Sequence, residues 1–473
     1  MSINSLEALA GAAEQPSNPL KGLAGAELVS AAETLTAEYT AAFALAGSAP
    51  AQPGVVGLRN PGHLDFMSAT LQCLAACEPL CAVLRSPATL AQLTVHSRFG
   101  SGGRLVLALA ALQRALLSGP ARSPLVITPI SQLVLAIATQ FKGWEANRDP
   151  RSFLGVVLSL LVGDLSVYPK PGYEDAVDGK QAEAVVADEA WRRHLSRDDC
   201  LVNDVFGGLI MSHLRCASCG SDWVRCEPCL ERLLLLPEGT RGTATTLQEL
   251  LVHSEEEVHL KGVDEVYCRP CGQHRESLLT SKLWRLPPLL VFTLNRFQDE
   301  QTKSVDKDAR PVAFPLQGLD MRQVLAGPPE LAVPQAVYAE GREAEGPLLP
   351  IYDLVAVCCH TGVGGGMFTA AVQNSVTGKW HHCDGELSAA HCRALASWSA
   401  GHWLTPALTT SAPHTPLLAT PAADSHTYPL QPAQVAALRE QAYMLFYRVR
   451  GTEGKAVAEY NLAARQAEGE GEE

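Results

Sequence analysis

The sequence predicts an α+β fold, and three observations lead to this prediction. Helical and strand patterns alternate from Val55 to about Arg450. Apolar residues make up 47% of the 473 residues, which suffices for a large packed core and excludes a mainly disordered chain. Two pairs of cysteines, each with two residues between its members, are typical of a structural metal site.

The strand predictions rest on short apolar runs rich in β-branched and aromatic residues. These runs cover residues 289–294, 352–358, 368–372 and 443–448. Residues 53–450 are expected to form the folded domain. Four stretches inside it have little clean periodicity and read as surface insertions, near residues 168–199, 238–263, 322–347 and 400–431.

Two further segments flank this domain. Residues 1–52 are rich in Ala, Glu, Gly and Pro and are expected to be a mostly mobile extension, although 27–45 could form an amphipathic helix. Residues 451–473 are expected to be an acidic tail exposed to solvent.

Composition narrows the possible partners and compartments. The net charge of −13 argues against direct nucleic-acid binding, and no apolar run reaches the roughly 18 residues of a membrane-spanning helix. The first residues show neither the basic nor the apolar region of a secretory signal. Several of the fourteen cysteines occur in C-x-x-C pairs, which favours a reducing compartment, so cytoplasm or nucleus is expected.

The cysteine pairs Cys216–Cys219 and Cys268–Cys271 predict a structural Zn²⁺ site. Four thiolates on two tight turns satisfy the tetrahedral preference of zinc and leave no open position for a catalytic water. A third pair, Cys226 and Cys229, could compete for the same ion.

The segment from Gly57 to Leu74 resembles the first signature box of the ubiquitin-specific proteases, roughly G-L-x-N-x-G-N-T-C-Y-M-N-S-x-L-Q-C-L. Two later segments, 206–219 and 267–297, resemble the cysteine-bearing boxes of that family, and 442–447 resembles its terminal strand. The resemblance spans about residues 55–450. It implies a papain-like body with thumb and palm and zinc-bearing, β-rich fingers. It also implies that Cys216, Cys219, Cys268 and Cys271 hold the zinc, and that Cys229 belongs to the core.

The positions that hold the catalytic residues of this family are altered in this sequence. Asp65 occupies the nucleophile column, where the family has cysteine, and Met367 occupies the column of the general-base histidine. Asp384 retains the third triad column, and Asn60 retains the oxyanion column, five positions before Asp65. A thiol protease needs a thiolate and a base that can accept its proton, so the resemblance implies an inactive member. We expect Asp65 to act as a helix N-cap, for which aspartate is favoured.

Neighbouring cysteines and histidines offer little replacement for the missing nucleophile and base. Cys73, Cys77 and Cys81 recur every four residues, which predicts one inward helix face with inert thiols. His63 and His360 read as structural histidines, while His381 or His382 could point into the cleft. A further box of the family is eroded: it keeps Asp149 and Phe153 but has Ser152 in place of glutamate.

Three hypotheses for the function follow. The first is a catalytically inactive homologue that binds ubiquitin or a ubiquitin-like modifier as a pseudoenzyme or scaffold. The second is a structural subunit of a larger complex, for example in RNA processing, that docks through its surface insertions without binding ubiquitin. The third is an active deubiquitinase with a non-standard site.

Overall fold

The computed structural model describes residues 18–43, 56–59, 64–85, 89–90, 93–97, 99–117, 125–126, 130–131, 134, 149–166, 182–237, 243–297, 307–328, 349–362, 366–383 and 427–450. The helices in these ranges are α1 (Gly25–Phe43), α2 (Asp65–Ala76), α3 (Glu78–Arg85), α4 (Arg104–Leu117), α5 (Pro150–Leu165), α6 (Glu183–Asp198), α7 (Leu201–Phe206), α8 (Leu247–His253) and α9 (Pro432–Ala436). The strands are β1 (Leu58–Arg59), β2 (Leu125–Val126), β3 (Gly208–Cys216), β4 (Asp222–Cys229), β5 (Arg232–Leu235), β6 (Thr245–Thr246), β7 (Val258–Leu260), β8 (Val266–Cys268), β9 (Gln273–Arg275), β10 (Ser277–Arg285), β11 (Leu289–Asn295), β12 (Val312–Ala313), β13 (Leu319–Asp320), β14 (Ile351–Thr361), β15 (Met367–Gln373), β16 (Trp380–Cys383), β17 (Thr427–Leu430) and β18 (Ala442–Val449).

The central layer is an eight-stranded sheet in the order β17-β16-β15-β14-β18-β11-β5, with β13 paired to β14. All four predicted strand runs lie in it, as β11, β14, β15 and β18. Their apolar residues alternate between the two faces of the sheet, so that Cys358 and Phe446 pack on one side and Val357 and Leu445 on the other. The predicted α+β fold is therefore observed.

One face of the sheet is covered by helices. The buried helix α2 lies against β15 and β14, and α3 and α5 pack against α2. A bend at Cys77 separates α2 from α3, where the sequence pattern predicted one continuous helix face. Pro79, in the first turn of α3, lacks the N–H that a continuing helix would need. Cys73, Cys77 and Cys81 are nevertheless all buried, as predicted.

The amino-terminal segment differs from the expected mobile extension. Helix α1 packs along α4, with Leu28 and Ala32 buried in the same core as α2. Before it, the Asn18 side chain donates a hydrogen bond to the Gly102 carbonyl at 3.0 Å, and Leu20 is fully buried. Residues 18–43 are thus part of the folded body, because the apolar face of α1 packs against α4.

A second sheet, β4-β3-β10-β7, extends from the body and carries the β8–β9 hairpin near its far end. Helix α6 covers one face of this sheet through Ala187 and Trp191, which pack against Leu209 and Met211. The Arg285 guanidinium lies 4.3 Å from the centre of the Trp191 ring. The expected insertion 168–199 therefore contains a helix, and 238–263 contains α8 with its capping box of Thr246 and Glu249.

Among the described residues no single helix is long and apolar enough to cross a membrane. The adjoining helices α2 and α3 reach that length and composition only together, across a bend of 87°.

Candidate functional site

The four predicted zinc ligands lie at the far end of the second sheet. Cys216 ends β3 and Cys268 ends β8, and each is followed by a tight turn. The carbonyls of Cys216 and Cys268 accept hydrogen bonds of 2.9 Å from the amides of Gly220 and Gly272. Both glycines have positive φ, 66° and 70°, which other residues rarely adopt. The turns therefore aim both sulfurs of a pair at one point.

The distances between the sulfurs fit a single tetrahedral ion. The Sγ atoms of Cys216 and Cys271 are 4.0 Å apart, those of Cys219 and Cys268 are 3.6 Å apart, and all four lie within 4.8 Å of one another. Four bonds of about 2.3 Å in a tetrahedron place sulfurs roughly 3.8 Å apart. Four thiolates suit zinc, which here would be structural because every ligand position is filled by protein.

The Ser221 hydroxyl favours thiolate formation at two of the four sulfurs, Cys219 and Cys268. The hydroxyl of Ser221 lies 3.1 Å from the Cys219 sulfur, and its hydrogen bond lowers the pKa of that thiol to about 6. The pKa of Cys268 is also lowered, chiefly by Ser221. A bound divalent cation would deprotonate the remaining ligands as well.

The third cysteine pair does not belong to the cluster. Cys226 and Cys229 lie three positions apart on β4, so their side chains point to opposite faces of that strand. Burial raises their pKa values to about 11 and about 12. They therefore neither meet at one ion nor present thiolates near neutral pH.

Asp65, the predicted N-cap, is instead the first residue of α2 and lies one position after the observed cap. The cap is Leu64, which makes no side-chain capping hydrogen bond, so the expectation that Asp65 caps the helix is wrong. Its carboxylate instead crosses to the sheet, where Oδ2 accepts a hydrogen bond of 2.7 Å from the backbone N–H of Phe368 on β15. A negative charge at this end of α2 is also favoured by the helix dipole.

Met367 begins β15 and pairs with Thr361 of β14, whose hydroxyl donates a 3.0 Å hydrogen bond to the Met367 carbonyl. Its side chain is half-buried, and a thioether accepts no proton near neutral pH. The other two predicted site residues, Asn60 and Asp384, lie outside the described residues.

His360 is held in an aromatic cluster next to the junction of α2 and β15, where Asp65 accepts from Phe368. Its ring centre lies 4.8 Å from that of Phe368 and 5.2 Å from that of Phe297, and both of these rings contact Tyr443. Burial, followed by the charges of Lys307 and Arg296, lowers the pKa of His360 to about 4. His360 is therefore a neutral core residue, in agreement with its structural interpretation.

Two cations lie behind His360, of which Arg296 belongs to the family box 267–297 and Lys307 gave no signal in the sequence. The Lys307 ammonium donates to the His360 carbonyl at 2.6 Å, and its pKa is lowered to about 8, mainly by burial. The Arg296 guanidinium is fully buried and donates to four backbone carbonyls, those of Asp308, Arg310, Arg439 and Ala442. A lone lysine in sequence reads as a surface residue, so only the fold shows the role of Lys307.

Neither of the tandem histidines reaches Asp65. His382 is paired with Ala371, whose side chain belongs to the core on the face away from α2, and its Nε2 lies 3.2 Å from the Thr369 hydroxyl. His381 is on the α2 face but pairs with Val372, four residues and about 13 Å along the strand from Phe368. Burial lowers the pKa of both, that of His382 to about 4.

Two thiols at the carboxyl-terminal half of α2 are protonated core groups. Burial raises the pKa values of Cys73 and Cys77 well above the ordinary value, and it does the same for Cys359 on the other face of the sheet. The Cys77 thiol donates to the Cys73 carbonyl at 3.2 Å. This agrees with the predicted inert cysteines.

Asp149, which the altered family box retains, has a structural role. It caps α5 by accepting from the Ser152 amide at 2.9 Å, and its other oxygen accepts from the Tyr443 hydroxyl at 2.6 Å. Burial raises its pKa despite these hydrogen bonds.

Comparison with known proteins fits this geometry. Residues 56–447 match the family "Ubiquitin carboxyl-terminal hydrolase". Ubiquitin carboxyl-terminal hydrolase 2 of Bos taurus is 27% identical over 334 residues, 69% of this chain and 51% of the relative. Ubiquitin carboxyl-terminal hydrolase 3 of Homo sapiens is 26% identical over 356 residues, 69% of this chain and 62% of the relative. The chain thus covers between half and two thirds of these relatives.

Solved structures show the same fold. A structure of the yeast SAGA DUBm aligns with a TM-score of 0.54 and 20% identity, over 86% of this chain and 71% of the other. The SAGA Ubp8/Sgf11/Sus1/Sgf73 DUB module bound to ubiquitin aldehyde aligns with a TM-score of 0.52 and 20% identity, over 86% and 72%. The family match covers most of the chain and agrees with the fold and the cysteine cluster, so this protein belongs to the ubiquitin carboxyl-terminal hydrolase family.

Proposed function

We propose that this protein is a catalytically inactive member of its family that binds ubiquitin or a ubiquitin-like modifier, as a pseudoenzyme or scaffold. The observation that carries the proposal is Asp65. A carboxylate stands at the nucleophile position, and its Oδ2 is already engaged with the Phe368 amide at 2.7 Å. Cytoplasm or nucleus remains the proposed location.

The surroundings of Asp65 support inactivity. Thiol catalysis needs a thiolate beside an imidazole that can take up a proton near neutral pH. Burial raises the pKa values of the Cys73 and Cys77 thiols, and it lowers those of His360 and His382 to about 4. Met367 supplies no base in their place.

The fingers support association. The sheet β4-β3-β10-β7 and its cysteine cluster keep the architecture of a family with solved complexes in which the DUB module is bound to ubiquitin aldehyde. Exposed apolar side chains lie on this extension, including the fully exposed Val263 and the half-exposed Tyr267. Such residues contribute affinity when a partner covers them.

The test is a titration of the purified protein with labelled mono-ubiquitin, beside a cleavage assay on a fluorogenic ubiquitin substrate and labelling by a thiol-reactive ubiquitin probe. We expect saturable binding, no turnover and no probe adduct. Val263→Asp should weaken binding, whereas Val376→Asp, at an exposed valine between β15 and β16, is the matched control. Turnover or an adduct would refute inactivity and favour an active enzyme with a non-standard site.

A second function is a structural subunit that has abandoned ubiquitin. The observation that favours a role in a complex is that solved structures of this fold include a module assembled with Sgf11, Sus1 and Sgf73, which is itself bound to ubiquitin aldehyde. The candidate docking insertions 322–347 and 400–431 lie largely outside the described residues. Failure of ubiquitin and ubiquitin-like modifiers to bind a folded, zinc-loaded protein would favour this alternative.

A further inference from the structure

We infer that the Ser221 hydroxyl is an outer hydrogen-bond donor of the metal site, and that it controls how firmly the site retains its ion. Ser221 is a positioning residue, because it contacts sulfurs that would bind the metal and acts through them. The inference requires that the cysteine cluster holds a divalent ion. It does not depend on whether the protein binds ubiquitin.

The hydroxyl of Ser221 lies between the two halves of the cluster. Its oxygen is 3.1 Å from the Sγ of Cys219, in the turn after β3, and 3.5 Å from the Sγ of Cys268, at the end of β8. These two sulfurs are themselves 3.6 Å apart. One hydroxyl therefore contacts one ligand from each cysteine pair.

A bound metal fixes the direction of these hydrogen bonds. A cysteine that binds a divalent ion is a thiolate and has no proton to donate, so a hydroxyl beside it can only donate. Four thiolates around one divalent ion also leave the cluster with an excess of negative charge. Donation from Ser221 stabilises that charge, since hydrogen bonds to a charged acceptor are stronger than neutral ones.

The backbone holds Ser221 in this place independently of its side chain. Its carbonyl accepts a hydrogen bond of 2.9 Å from the Cys216 amide. The preceding residue is Gly220, whose positive φ of 66° allows the tight turn. Replacing Ser221 by alanine keeps these backbone features, so the substitution removes the hydroxyl alone.

Exposure makes this hydroxyl relevant to loss of the ion. Cys219 is exposed, whereas Cys216 and Cys268 are buried. A proton or a chelating agent from solvent therefore reaches the cluster first at the Cys219 sulfur. Because the half-buried Ser221 contacts that sulfur and favours its charged form, it should oppose the first step of metal release.

The first experiment measures zinc retention by the full-length protein in competition with a colorimetric chelator. Ser221→Ala should bind zinc at least about tenfold more weakly than the wild type, a typical cost of removing an outer partner of a metal ligand. Ser221→Thr keeps the hydroxyl and should restore most of the affinity. Ser218→Ala, at an exposed serine of the same turn, is the matched control and should behave as the wild type.

The second experiment uses Co²⁺ in place of zinc and observes the sulfurs directly. In Ser221→Ala the sulfur-to-cobalt charge-transfer band should move to longer wavelength, because a thiolate without this hydrogen bond gives up an electron more easily. The visible bands of tetrahedral cobalt should stay in place, and Ser221→Thr should resemble the wild type. A purely structural role would instead disturb the tetrahedral bands, which would overturn the inference.

Equal zinc affinities and equal charge-transfer bands in Ser221→Ala and the wild type would also overturn the inference. A wild-type protein that binds neither zinc nor cobalt would overturn it together with the metal site. The ubiquitin titration is a separate measurement, so failure of the proposed function leaves these outcomes readable.

Discussion

The cysteine cluster and the α2–β15 junction differ in what they retain. The cluster retains its set of ligands, whereas the junction retains its packing. At the cluster, four sulfurs of one chemical type converge within 4.8 Å, so the donor set itself is intact. At the junction, the elements and their packing are present, but Asp65 and Met367 occupy the positions for which the family resemblance implies a thiol and an imidazole. A metal site holds its loops together only through its ligands, whereas a packed junction tolerates any side chains that satisfy its hydrogen bonds.

The largest effect is expected at the cluster. Cys268→Ser should remove the bound zinc and lower the local unfolding free energy of the fingers by roughly 3 kcal/mol or more, since the turns have little other support. Zinc analysis and hydrogen exchange of β8 and β9 would measure this. Cys226→Ser, outside the cluster on β4, is the matched control and should keep its zinc; zinc retained by Cys268→Ser would refute the site.

The second-largest effect is expected from acid, because lowering the pH should reduce the stability that neutral His360 contributes. Its pKa in the folded protein, about 4, lies below the ordinary 6.5, so the unfolded chain binds the proton first as pH falls. The stability that neutral His360 contributes is present above about pH 6.5 and is lost toward pH 4. His360→Phe keeps an aromatic ring and should remove on the order of 2 kcal/mol of this acid sensitivity, measured by urea unfolding at several pH values. Parallel curves for the two proteins would contradict the prediction, and any acid release of zinc affects both alike.

A smaller effect is expected for the hydrogen bond between Asp65 and the Phe368 amide. Asp65→Ala should lower the free energy of unfolding by about 1–2 kcal/mol, because the Phe368 amide loses a charged acceptor. Asp65→Asn should cost less than about 1 kcal/mol. Denaturant unfolding compares the three proteins, and equal stabilities would show that the hydrogen bond contributes nothing.

The smallest effect is expected for Met367→His. This side chain is half-buried, so the change should alter stability by no more than about 0.5 kcal/mol. It should also give no turnover of a fluorogenic ubiquitin substrate, since Asp65 remains. Turnover by this single variant would mean that another nucleophile works at the junction.

The sequence predicted the elements whose signals are local. The runs that became β11, β14, β15 and β18 are continuous and apolar. The two cysteine pairs whose sulfurs converge were predicted from their spacing together with the family resemblance, since spacing alone left Cys226 and Cys229 as competing ligands. The zinc prediction is supported by the geometry of the sulfurs. These features need no knowledge of distant contacts.

The features that the sequence did not predict depend on contacts between residues far apart in the chain. The bond from Asp65 to Phe368 joins residues 303 positions apart, and the docking of α1 needs the apolar face of α4. Helix α6 carries so many charged residues that its small buried face, Val186 and Ala187, gives little periodicity. The N-cap prediction failed by one residue because propensity cannot choose between neighbouring helix starts.

The position of β18 has a consequence for synthesis on the ribosome. This strand, the last in the described chain, lies in the middle of the large sheet, between β14 and β11. Until residues 442–449 emerge, β14 and β11 each have an unpaired, apolar edge that can associate with other chains. A nascent chain of this protein is therefore expected to depend on chaperones until that late stage, and truncation before β18 should yield aggregates rather than a smaller folded protein.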